Sequence, residues 1–163
     1  MKTFLENLEM LSLAAGTSGD EAAIEKLIYD EVIGCPDCVA KTDNAGNLIV
    51  TKKGKKEPKN RLMFSAHMDE VGFIIVGATE DGLLRFRCVG GIDPRVIVSK
   101  RVLVGEDLIP GVIGAMAIHL QSPADRQRVL DYDGLYIDIG AKDKADAEAM
   151  GVEIGDAIVW GTQ

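Results

Sequence analysis

The residues of this chain best suited to chemistry lie in one short run, Ala66-His67-Met68-Asp69-Glu70-Val71-Gly72-Phe73. A neutral imidazole is a good ligand for zinc or cobalt. A carboxylate two residues on can orient that ring from behind and raise its basicity. His-x-Asp is common by chance, and a histidine bonded to a nearby carboxylate for structural reasons fits the triplet equally well. Position adds weight to the chemical reading. Leu62-Met63-Phe64-Ser65-Ala66 is a nearly continuous apolar run and reads as a strand buried on both faces of an α/β sheet. His67 and Asp69 would then stand just past the carboxyl end of that strand, where open α/β sheets bind their ligands.

Other candidate groups carry less. Cys35-Pro36-Asp37-Cys38 has CxxC spacing, but a zinc site needs a second ligand pair and a redox motif should follow a strand and open a helix. This one follows a helix and precedes a strand, so it reads as thiols in a connecting loop. His119, between Ile118 and Leu120, reads as a structural histidine, because buried polar groups find hydrogen-bond partners. Asp138, between Ile137 and Ile139, faces solvent or a subunit contact. Asp93 before Pro94 fits a turn. The lysines from Lys52 to Lys59 lack interleaved aromatic residues and read as a solvated loop.

The elements that must position His67 and Asp69 follow from periodicity. Phe4, Leu5, Leu8 and Leu11 recur at helical spacing. Ser18 stands three residues before Glu21 in a capping-box pattern, and Ile24, Leu27, Ile28 and Val32 stripe the next helix, which Gly34 and Pro36 end. Residues 39–43 and 48–51 flank Asn44-Ala45-Gly46-Asn47 as a hairpin. Beyond Gly72 the texture changes to short strand-like runs at 73–76, 83–89, 101–104, 112–113, 135–139 and 158–160, separated by glycine-rich turns. That is the pattern of a small antiparallel barrel or sandwich. Short helices are expected after Ser122-Pro123 and over Lys144 to Met150. The expected domains are 1–71 and 72–163.

At 163 residues, 47% hydrophobic and 27% charged, the composition is that of a globular protein with one good core or two small ones. A net charge of -8 opposes nucleic-acid binding. No segment approaches the length of a membrane span, and the N-terminus lacks a signal-peptide pattern. Three cysteines, an odd number, suggest reduced thiols and a cytoplasmic location.

Seven segments in order carry a family resemblance: Gly16-Thr17-Ser18-Gly19-Asp20-Glu21, Asp43 to Leu48, His67 to Phe73, Val89-Gly90-Gly91-Ile92-Asp93, Gly111 to Gly114 with Ile118-His119-Leu120, Tyr136 to Ala141, and Gly151 to Asp156. The chain resembles the N-terminal part of the tetrahedral metallo-aminopeptidases, which include glutamyl and deblocking aminopeptidases and some members once labelled endoglucanases. The resemblance implies an α/β fold: the N-terminal portion of an aminopeptidase catalytic sheet, plus a small β-barrel-like domain inserted after the His-x-Asp strand. It implies that His67 binds one ion of a two-metal centre of zinc or cobalt, that Asp69 is catalytic through orienting the site, and that the substrate is a peptide. It further implies a hollow homo-oligomer built partly by the inserted domain. The other metal ligands and the general base of the family fall in motifs not found here, and Trp160 to Gln163 stand about where the family's chain returns to its catalytic sheet. The expectation is therefore an inactive N-terminal segment, or a non-catalytic assembly module, with apolar surface that favours association.

Overall fold

The computed structural model describes residues 2–127 and 130–161. Two compact units emerge, 1–69 and 70–163.

The first unit opens with α1, Phe4–Leu13. Its cap is a full capping box: Thr3 Oγ1 accepts from Glu6 N, and the Glu6 carboxylate accepts from Thr3 N. Helix α2, Ala22–Ile33, buries Ile24 and leaves the rest of its apolar stripe half covered. The expected Ser18–Glu21 box does not form. Glu21 is the N-cap but makes no side-chain cap bond, and its carboxylate instead accepts from Gly19 N. Strands β1, Cys38–Thr42, and β2, Leu48–Lys52, pair antiparallel as a hairpin. Asp43 Oδ1 accepts from the amides of Ala45 and Asn47 and shapes the turn, while Gly46 takes the left-handed conformation it needs (φ 82°). Cys35 and Cys38 are free thiols.

The strand expected over Leu62 to Ala66 is not formed. Residues 53–69 carry no regular structure, and Leu62, Met63 and Phe64 are 80%, 86% and 89% exposed. An apolar run becomes a central strand only where flanking strands accept its amides and a face covers its side chains. The hairpin β1–β2 is a two-stranded sheet that does not include it.

The second unit is a closed antiparallel barrel. Its strands are β3 (Gly72–Ala78), β4 (Leu84–Val89), β5 (Arg101–Val104), β6 (Ile109–Ala115), β7 (Leu135–Asp138) and β8 (Ala157–Trp160). They run around the ring in the order β3-β4-β7-β6-β5-β8. Alternation decides which side chains enter: Leu84 and Phe86 point in and Arg85 and Arg87 out, as Leu135 and Ile137 point in and Asp138 out. Phe73, fully buried, meets Phe86 and Trp160 edge-on with ring centroids 5.1 Å apart in each pair. Trp160 Nε1 donates to Val71 O at 3.0 Å, so the last strand is tied to the lead-in of the first. A register shift between Ile75 and Gly77 marks a bulge that helps the sheet curve shut. Where β6 meets β7, a Cβ at Gly114 would stand 2.4 Å from the Tyr136 ring, so glycine lets that ring lie close over β6.

Helix α3, Lys144–Ala149, is capped by the Asp143 side chain and stopped by Gly151 at φ 93°. The helix expected after Ser122-Pro123 is described as a single 3-10 turn, Asp125–Gln127. His119 does not occupy a buried structural place: it is exposed on the 3-10 turn Ile118–Leu120, whose apolar ends are exposed too. Asp93 does make a turn, accepting from Arg95 through both backbone and guanidinium, and the guanidinium holds its carboxyl down to about 2. Thr162 and Gln163 lie outside the described residues.

Replacing Phe73 by Ala removes a ring that two aromatic neighbours pack against. Thermal or urea unfolding should show the barrel destabilised by about 3–5 kcal/mol. A loss below about 1 kcal/mol would mean the ring is not central to the core.

Candidate metal centre

The chain returns to the start of α2 through the extended segment that carries His67 and Asp69. The loop before α2 meets that segment closely. A Cβ at Gly16 would lie 2.6 Å from Ile24 Cγ1 and 3.5 Å from Met68 O, so glycine lets loop, helix and segment come together. Thr17 is buried at 3% exposure. Ser18 Oγ donates to Asp69 Oδ2 across 51 positions of sequence.

Asp69 in turn faces the imidazole. His67 Nδ1 lies 2.9 Å from the Asp69 carbonyl oxygen and 3.2 Å from Asp69 Oδ1. A carbonyl only accepts, so Nδ1 carries the proton in the neutral ring and the lone pair sits on Nε2. The His67 side chain is 83% exposed, which leaves Nε2 open to a ligand. The hydrogen bond from Ser18, foremost, holds the Asp69 carboxyl below its ordinary 3.8, with the neighbouring imidazole adding to the effect. Burial pushes the Glu70 carboxyl upward.

His67 and Asp69 border an open cleft of about 530 Å³ whose walls include Glu21, Asp43, Asn47 and Phe64. Asp43 is turned to its own loop, where the side chain and amide of Asn47 hold its carboxyl below the ordinary value. Among the described residues, no three His, Cys, Asp or Glu side chains gather into a group able to hold a metal ion. Among the described residues, the donor chemistry at this place is that of one imidazole with a carboxylate beside it. Sequence reading singles out His67 and Asp69, which the structure brings together, but not Ser18 as their companion. The signal was the Gly16-Thr17-Ser18-Gly19 loop, whose glycines permit a close backbone approach.

Residues 46–163 match the family described as M42 glutamyl aminopeptidase. The chain belongs to that family. It is 36% identical over 157 residues to the putative aminopeptidase FrvX of Escherichia coli K12, covering 94% of this chain and 43% of that one. Among solved structures, a TET aminopeptidase from a marine-sediment thaumarchaeote superposes with a TM-score of 0.87 at 30% identity, covering 96% of this chain and 44% of its own. A Pyrococcus horikoshii TET1 peptidase, described as able to assemble into a tetrahedron or a large octahedral shell, matches at TM-score 0.83 and 38% identity, over 99% of this chain and 47% of that one. The chain thus spans less than half the length of the M42 relatives it matches. The α/β fold with a closed barrel is the architecture of the corresponding part of those structures.

Two measurements check this geometry. Gly16→Ala forces a methyl against Ile24 and should destabilise the first unit by about 1–3 kcal/mol in urea unfolding. Asp69 contributes stability that is fully present above 3.8 and lost as pH falls through its lower folded value. The stability gap between wild type and Asp69→Asn should therefore be widest near neutrality and narrow in acid. A gap that grew in acid would contradict the assigned interactions.

Proposed function

We propose that this chain is the N-terminal portion of a metal-dependent aminopeptidase that removes N-terminal residues from peptides. In this reading His67 ligates one ion of a pair and Asp69 is the catalytic carboxylate that orients the site. One observation carries it: Nδ1 of His67 is committed to the carbonyl of Asp69, so Nε2 presents the lone pair a divalent ion requires. Zinc and cobalt both suit such a donor. When bound, a pair of these ions supplies an activated water and polarises the scissile carbonyl. The chain's own part is narrower. The Asp69 carbonyl fixes the ring's tautomer, and the carboxylate beside it faces the same ring nitrogen.

A catalytic zinc typically takes three protein ligands, and the described residues gather no such group. The remaining ligands and the general base are assigned to the part of the M42 relatives' length that this chain does not span. The barrel is assigned to homo-oligomer assembly, supported by the exposed Met116, Ile118 and Leu120 and by the shells ascribed to the Pyrococcus relative. Nucleic acid is disfavoured as a partner by the charge of -8. No helix among the described residues is long and apolar enough to cross a membrane, and the free cysteines suit the cytoplasm. A second reading, a non-catalytic assembly module, is favoured by the contrast between a barrel with a large closed core and a first unit in which, among the described residues, Ile24 is the one large apolar side chain buried.

The ligand count is tested by assay. With added zinc or cobalt, the chain alone should not turn over amino-acid anilides. Turnover abolished by His67→Ala would overturn the ligand count and establish a complete site.

A further inference from the structure

Ser18, with Glu21 three residues on, matches a capping-box pattern, yet α2 begins only at Ala22 with Glu21 as its N-cap, so Ser18 stands outside the cap. The hydroxyl is directed to Asp69 Oδ2 instead. Local preferences of this kind are usually overridden where function demands another partner. The loop is built for the diversion. Gly16 allows it to press on Ile24 and the Met68 carbonyl, Thr17 is buried beneath it, and Gly19 at φ 94° turns the chain away towards α2.

We propose that Ser18 is a positioning residue for the His67–Asp69 pair. By holding Oδ2, it keeps Oδ1 and the Asp69 carbonyl on the Nδ1 side of the imidazole and so fixes the Nδ1–H tautomer. The Asp69 side chain is 39% exposed, and without an anchor its carboxylate is free to turn towards water. Held in place, it faces the ring nitrogen that carries the proton, which leaves Nε2 as the donor. The value of this arrangement rests on the reading of His67 as a metal ligand, but the hydrogen-bond relay itself needs no metal.

The relay is tested on the metal-free, ¹⁵N-labelled chain at about pH 8.5, well above the ordinary histidine value of about 6.5. Long-range ¹H–¹⁵N correlation reads the fraction of each tautomer, and His119→Gln identifies the signals of His67. Wild type should be mainly Nδ1–H. Loss of one hydrogen bond in Ser18→Ala should lower the Nδ1–H to Nε2–H ratio about twofold or more. Ser18→Thr should restore the wild-type ratio, and Ser18→Val, of the same shape without the hydroxyl, should behave as Ala does. If Ser18→Ala fails to fold, the Thr and Val pair decides. An unchanged ratio in Val, or an equal loss in Thr and Val, would overturn the proposal. Adding zinc to the same samples keeps the two ideas apart. A zinc-insensitive Nε2 would sink the ligand reading and leave the Ser18 relay standing, whereas an unchanged tautomer in Val would sink the relay alone.

Discussion

Each β-strand carries two rows of amide and carbonyl groups that must be paired or left to water, and that requirement governs the whole of this molecule. Residues 70–163 meet it by closure. Six antiparallel strands form a ring, no strand is an edge, and the inward residues fill the interior with Phe73, Phe86, Leu84, Ile113 and Ile137. Residues 1–69 meet it only locally. One hairpin pairs with itself, while the apolar run from Leu62 to Phe64 lies extended and exposed. Its amides have no neighbouring strand to accept them.

The same segment ends at His67 and Asp69, so hydrogen bonds rather than a sheet edge hold the candidate centre in place. Ser18 reaches across from the loop before α2, Asp69 passes the orientation on, and the imidazole is left with one nitrogen committed and one free. Such support is what a metal-ligating histidine generally requires. One imidazole and a carboxylate are brought together here, and among the described residues no group of three His, Cys, Asp or Glu side chains gathers.

Much of this was legible in the sequence. The barrel strands announced themselves because alternation such as Leu84-Arg85-Phe86-Arg87 translates directly into inward and outward faces. The hairpin was equally legible from Asp43 to Asn47, where the turn chemistry is local. The failures share a cause, which is that partners distant in sequence decided the outcome. Ser18 matched a capping pattern, but Asp69 took its hydroxyl, and the true capping box lay unnoticed at Thr3 and Glu6. Leu62 to Ala66 had a strand's composition but lacked strands beside it. His119 had apolar neighbours that suggested burial, and those neighbours are themselves exposed.

Isothermal calorimetry of zinc binding to the intact chain tests the central claim most directly. The account predicts weak binding of a single ion, lost in His67→Ala, because one protein ligand cannot hold a catalytic zinc tightly. Tight binding, or binding of two ions per chain, would contradict it.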